Sequence, residues 1–254
     1  MRPVRIPFFA LLALLIFLSV GAWFNPASAA RFGETLCEDA QNFACIVIRG
    51  EVIEREVRRK GQTRIVQKTV VDAWEDIWPD ERQREMVMKV NRFNGRLRDN
   101  MIVAVPRGIS RKNLMDFSPF ARSIPPPGEK LLIFDPSVLA FAAYDADGTL
   151  LRWGPAVGGR SGHRTPAGTF RIYRKHGAGY RSGKYPIGCQ GRSCARMPYA
   201  MFFKAGYAFH AGYLPGVHAS QGCVRVFYQD AKWLNQIFAE RGAKVVIRPY
   251  STKR

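Results

Sequence analysis

Acidic residues are scarce in this chain. Its 20 Asp and Glu face 39 Lys and Arg, for a formal net charge of +19, which argues against a basic partner and for a polyanion. In a cytosolic protein that partner would be nucleic acid; outside the cytoplasm it would be an anionic envelope polymer. Histidine is scarcer still, with only His163, His176, His210 and His218, so imidazole chemistry has four candidates. Cysteine numbers five. Neither a histidine nor a further cysteine stands near Cys189 and Cys194 to complete a ligand set, which argues against a metal centre. No metal and no cofactor is expected.

One long apolar run is present, and it settles the compartment. Arg2 and Arg5 precede Ile6 to Phe24, and Ala27-Ser-Ala29 supplies small residues of a cleavage site, so residues 1–29 read as a secretory signal. A run of this length is also nearly enough to span a bilayer, so an uncleaved membrane anchor is the alternative. Either places the rest of the chain outside the cytoplasm and removes nucleic acid as a partner. An exported chain tends to pair its thiols. Cys37 with Cys45, and Cys189 with Cys194, are close enough in sequence to form disulfides, and Cys223 is then the free thiol.

Cys223 lies in the most informative stretch, Tyr207-Ala-Phe-His-Ala-Gly-Tyr-Leu-Pro-Gly-Val-His-Ala-Ser-Gln-Gly-Cys-Val-Arg-Val226. A thiol with a pKa of about 8.5 is only a few per cent thiolate near neutrality, so a cysteine nucleophile needs a neighbouring base. Residues 207–210 read as the end of a strand and the Gly- and Pro-rich residues 211–222 as a loop. That loop can return Cys223 to the strand end beside His210. His218, five positions before the thiol, is the rival base. His163 and His176 stand in Gly- and Arg-rich loops, where they either touch substrate or are plain surface.

Ser220-Gln-Gly-Cys-Val-Arg225, with a His-x-Gly upstream and Asp230 and Leu234 downstream, resembles the signature of the L,D-transpeptidases, the YkuD-type enzymes of bacterial peptidoglycan. The resemblance covers residues 129–249 and includes Val157-Gly-Gly159 and Thr165-Pro-Ala-Gly-Thr-Phe170. It departs from the family at Gln221, where His or Arg is usual, and at Ala211, where Gly or Ser is common. It implies a mainly β catalytic domain, a YkuD-like β-sandwich with a buttressing helix. It also implies a thioester formed by Cys223 with the stem carbonyl preceding a terminal D-alanine, with His210 as base. Backbone N–H groups around Gly222 and Cys223 would hold the oxyanion, and Ser220 belongs to the same substrate-binding motif.

Arg225 either grips a stem carboxylate or ties loops together, and Tyr207 either faces the pocket or fills the core. Peptidoglycan stem peptides are the implied substrate. The acceptor is a diaminopimelate amine, giving a 3-3 crosslink, or a lipoprotein lysine, a free D-amino acid or water. Water would make the protein a hydrolase. A wall-binding protein with a decayed site is a further reading, for which Gln221 is the hint.

Local patterns supply the remaining elements. Asp147-Gly148 between two apolar runs signals a hairpin. Tyr228 to Glu240 places Trp233, Leu234, Ile237 and Phe238 on one helical face, and Ala243 to Ile247 follows Gly242 as a strand. The stretch 118–128, with Ser-Pro and Pro-Pro-Pro-Gly, reads as a linker. Before it, residues 31–117 give a strand at Cys45 to Ile48, helices at Val71 to Trp78 and Asp80 to Asn94, and a strand at Met101 to Val105. This order is similar to a small α/β LysM module that binds wall glycan strands, with Glu51 to Lys68 as an insertion. A helical spacer without glycan affinity is the alternative.

Overall fold

The computed structural model describes residues 31–250. The expected signal or anchor falls outside them. Among the described residues no helix is long and apolar enough to cross a membrane.

The N-terminal region opens with a single turn, α1 (Phe32–Thr35), and strand β1 (Phe43–Val47). The expected insertion is a hairpin, β2 (Glu51–Arg59) and β3 (Gln62–Val70), whose register runs unbroken from Glu51↔Val70 to Arg59↔Gln62. The chain reverses at Lys60-Gly61, both at positive φ, the backbone that a two-residue hairpin turn requires. Every residue of both strands is exposed. Helices α2 (Trp74–Ile77) and α3 (Glu81–Val90) follow, and the side chain of Asp80 caps α3 by accepting from the Gln83 amide at 2.8 Å. Strand β4 (Ile102–Pro106) then returns antiparallel to β1. Between these elements lies an apolar cluster that includes Trp74, Trp78, Val87, Phe93 and Val103.

Nine strands make the C-terminal half: β5 (Leu131–Asp135), β6 (Ala140–Tyr144), β7 (Leu150–Val157), β8 (Gly168–Arg171), β9 (Arg174–Lys175), β10 (Met201–Lys204), β11 (Tyr207–Ala211), β12 (Val224–Val226) and β13 (Lys244–Ile247). They form one mixed sheet in the order β8-β13-β5-β6-β7-β12-β11-β10-β9. Its two edge strands, β8 and β9, are joined through only Ile172 and Tyr173, so the sheet curls back on itself. The expected sandwich is thus one sheet folded over. Its interior holds Leu132, Phe134, Phe141, Phe209, Val224 and Val226 among others.

Helix α4 (Tyr228–Trp233) starts directly after β12 and widens into a π-type turn over Leu234–Phe238. This corrects the helical face expected there. The wider turn shifts the phase, so Leu234 and Phe238 stay buried while Ile237 is 66% exposed.

Residues 118–128 do not run free. The Ile124 amide donates to the Gly148 carbonyl, the Leu150 amide to Arg122 and the Gly128 amide to Ala146, at 2.9, 2.9 and 3.1 Å. Tyr144 Oη donates to the Ala121 carbonyl at 2.9 Å, and Phe120 is buried. The proline-rich stretch is a strap along the β6–β7 hairpin. The N-terminal region docks beyond it. Arg92 is buried, stacks over Trp153 and Phe32, and donates from Nε to the Val138 carbonyl at 3.2 Å. Burial pulls its pKa down to about 9, still charged at neutrality.

Candidate active site

Strand β12 lies parallel to β11 with Phe209 opposite Val224 and His210 opposite Arg225. Paired residues share a face and alternate along the strand. Phe209 and Val224 point into the main core, so His210 and Arg225 point the other way. Cys223 immediately precedes Val224 and falls on the same outer face. It is one side-chain repeat from Arg225, roughly 7 Å along the strand. There it packs beside Tyr180, Met197, Ala200, Phe202 and Ala208. The structure therefore brings His210, Cys223 and Arg225 to one surface.

His210 is 6% exposed, and its Nδ1 donates to the Ala211 carbonyl at 2.8 Å. That bond fixes the tautomer and leaves the lone pair on Nε2. Burial, with a smaller push from the Arg225 charge, lowers its pKa to about 4 against the opposing Ala211 bond. Cys223 is half-buried, and its Sγ lies 3.6 Å from the Gly206 carbonyl in the β10–β11 turn. Burial pushes its pKa up, opposed by the Ala208 backbone and Arg225. Burial thus disfavours the charged form of each.

His218 is differently placed. Its Nδ1 accepts from the Gly158 amide and its Nε2 donates to the Pro136 carbonyl, both at 3.0 Å, while its ring meets Phe134 and Tyr250 edge-on. Both nitrogens are occupied in tying loops together. His163 is exposed with Nε2 3.2 Å from Arg160, which also reaches Gln221 Oε1 at 3.4 Å. His176 stacks on Tyr180 at 3.9 Å, and its buried Nε2 has no partner.

The turn before the thiol is built from hydroxyls. Ser220 is buried; its Oγ accepts from the Gly222 amide at 3.0 Å and donates to the Cys223 carbonyl at 2.6 Å. The Gly222 amide therefore has a partner within the turn, and the Ser220 hydroxyl holds that turn together. Gly222 sits at φ +118°, and a Cβ there would lie 2.5 Å from the Tyr207 ring. Tyr207, half-buried, thus packs against the turn as well as the core.

Thr165 was legible only as part of a turn motif, yet its buried Oγ1 donates to the Gly222 carbonyl at 2.8 Å and accepts from the Gly159 amide at 3.1 Å. No sequence pattern signals that contact across 57 positions. Arg225 is half-buried, and its stem packs on Gly212. Disulfides Cys37–Cys45 and Cys189–Cys194 are both formed, leaving Cys223 free. The second closes a loop within the excursion from β9 to β10 that carries Tyr180 and Met197 to the thiol's surroundings.

No curated protein matches the chain by sequence. An L,D-transpeptidase from Stackebrandtia nassauensis is similar in structure at 22% identity and TM-score 0.44, over 53% of this chain and 62% of that one. The chain thus spans about three fifths of that relative's length. An L,D-transpeptidase from Xylanimonas cellulosilytica is 22% identical at TM-score 0.47, over 66% and 79%. L,D-transpeptidase 3 from Mycobacterium tuberculosis, solved with a faropenem-derived adduct, is 20% identical at TM-score 0.41, over 62% and 77%. The family model for the YkuD L,D-transpeptidase catalytic domain matches residues 130–247. Those residues, which span β5 to β13 and carry both Cys223 and His210, are a YkuD L,D-transpeptidase catalytic domain.

Proposed function

We propose that this protein is an exported peptidoglycan L,D-transpeptidase in which Cys223 is acylated by tetrapeptide stems. The observation that carries the reading is the pairing of β11 with β12, which sets the free thiol on one face with an imidazole whose Nε2 holds a lone pair. The Cys223 proton passes to His210 Nε2 as Sγ attacks the carbonyl before the terminal D-alanine. Collapse of the tetrahedral intermediate breaks the peptide C–N bond. The same proton goes to the leaving amine, and D-alanine departs from a thioester. An acceptor amine then loses a proton to His210 and attacks the thioester, and Cys223 recovers its proton. With a diaminopimelate amine the product is a 3-3 crosslink. Arg225, charged and beside the thiol, suits the stem carboxylate.

Burial disfavours the thiolate and the imidazolium alike, so the proton moves as Sγ attacks. Incubating mature protein with muropeptides and reading products by mass spectrometry tests the reaction. Loss of a terminal D-alanine with dimer formation is expected, and Cys223→Ala abolishes both. D-alanine loss without any dimer would make water the acceptor. A β-lactam adduct on Cys223, absent from Cys223→Ala, is expected on the same chemistry.

A second proposal concerns the N-terminal region. A groove of about 1160 Å³ opens between the base of the exposed hairpin and the turn after α3, lined by Lys68, Trp74, Arg96, Arg98 and Tyr213 among others. The exposed Tyr213 ring beside Arg96 and Arg98 suits a wall glycan, in keeping with the LysM-like element order. Sedimentation with isolated sacculi, comparing wild type with Tyr213→Ala and Arg96→Ala, tests this; undiminished binding would overturn it.

A further inference from the structure

The loop between the base and the nucleophile contains Gly212, Gly216 and Gly222, so left to itself it would have much conformational freedom. The catalytic sheet does not restrain it alone. Asn94, in the turn after α3 of the N-terminal region, donates from Nδ2 to the Gly212 carbonyl at 3.0 Å and accepts the Leu214 amide on Oδ1 at 2.8 Å. Its own amide donates to the Leu214 carbonyl at 3.2 Å. One residue thus reads three backbone groups of the loop. On either side, Phe93 bridges Pro215 and the Phe32 amide donates to the Gly216 carbonyl at 2.9 Å. Leu214 is fully buried against Leu139, Val157 and Phe227 of the catalytic domain, with Phe32 and Met88 packed on the same cluster.

The clamped segment leads directly to the chemistry. Gly212 lies two positions after His210 and donates its amide to the Val226 carbonyl at 3.0 Å. It is also the surface on which the Arg225 side chain rests, since a Cβ there would stand 3.0 Å from Arg225 Cδ. We propose that Asn94 is a positioning residue for acyl transfer: by fixing residues 212–214 it sets the Arg225 side chain and the strand end that bears His210. The N-terminal region then completes the active site in addition to any role on the wall. This rests on the reading of Cys223 and His210 as the reacting pair.

The test is steady-state turnover of a tetrapeptide-stem muropeptide by full-length mature protein carrying Asn94→Ala or Asn94→Asp. Lys89→Met serves as a control that breaks a different contact of the same region. Asn94→Asp keeps the acceptor for the Leu214 amide but faces the Gly212 carbonyl with a carboxylate. Both Asn94 variants are expected to lose about 10-fold or more in kcat/KM, because small misplacements of reacting groups are costly. Their Leu214 amide should exchange faster while the Val224 and Val226 amides stay protected. Lys89→Met is expected to lower the thermal midpoint yet keep kcat/KM within about twofold in its folded fraction.

Asn94 variants within twofold of wild type, or a Lys89→Met loss equal to theirs, would overturn the proposal. If neither Asn94 variant folds, exchange of the wild-type Leu214 amide decides: slow exchange supports the clamp, and exchange at the rate of an open loop refutes it. Turnover surviving in Cys223→Ala would instead overturn the underlying reading.

Discussion

Lys89 Nζ lies 3.0 Å from Asp230 Oδ1, a buried ion pair that joins α3 of the N-terminal region to α4 behind the nucleophile's strand. The two side chains are 4% and 0% exposed. Arg152 reaches the same oxygen at 3.3 Å, and Glu85 holds Lys89 from outside at 3.0 Å. Burial raises the Asp230 pKa, while Lys89 and Arg152 pull it back. Its Oδ2 has no hydrogen-bond partner and lies where a Cβ on Gly154 would approach within 2.6 Å.

Removing one partner of such a pair strands a buried charge, whereas removing both does not. Lys89→Met is therefore expected to destabilise by about 3 kcal/mol, and Lys89→Met/Asp230→Asn to recover at least half of that loss. Urea unfolding of Lys89→Met, Asp230→Asn and the double variant against wild type measures it. Losses that simply add would refute the coupling.

The same boundary decides what truncation does. A chain beginning at Gly128 would lose the strap that holds Tyr144, the Leu114 carbonyl that accepts from Trp153, the Lys89 cation on Asp230 and the clamp on Leu214. Expected results are poor soluble yield and thiol acylation below about a tenth of the full mature protein, since each buried partner left unpaired costs about 1–3 kcal/mol. A soluble fragment with full acylation would mean that the catalytic half stands alone.

His210 and His218 should part company on substitution. General-base loss at His210→Ala is expected to lower acylation by about 10²-fold or more. His218→Ala breaks two loop hydrogen bonds and is expected to lower the unfolding midpoint more than the acylation rate. Stopped-flow acylation paired with thermal melts separates the two effects, and equal losses of rate would reverse the assignment.

Much of this site was legible in the sequence because it is local. The strand at Tyr207, the glycine loop and the thiol lie within one stretch of chain, and a parallel pairing of its ends is enough to bring His210 and Cys223 to one face. The β6–β7 hairpin was readable for the same reason. What was not readable depends on contacts between distant segments. Proline-rich residues 118–128 have linker composition, but hydrogen bonds to the β6–β7 hairpin bind them down. Thr165 and Asn94 carry no motif, and both act on backbone carbonyls far along the chain, where any suitably placed side chain would serve. The partner of the Gly222 amide was not readable either, because nothing in the motif says that the Ser220 hydroxyl two residues before it accepts that amide.

The two ionisable groups of the site make the last prediction. Burial pushes the Cys223 pKa up and lowers that of His210 to about 4. A preformed thiolate–imidazolium pair would need the reverse, a thiol lowered and an imidazole raised. Alkylation of Cys223 by iodoacetamide, which reports the thiolate, is therefore expected to be slow at pH 6 to 7 and to climb continuously through pH 8.5, the ordinary thiol range. His210 contributes no break between pH 5 and 7, because it is already neutral there. Lowering the pH below the unfolded histidine value of about 6.5 should instead reduce stability: the unfolded chain binds protons that the folded, buried His210 and His218 refuse until about pH 4, each worth up to about 3 kcal/mol over the full span. Intact-mass alkylation rates and urea midpoints over pH 5 to 9 test both arms. A plateau of fast alkylation between pH 5 and 7 would establish an ion pair in the resting enzyme and displace the substrate-coupled proton transfer argued above.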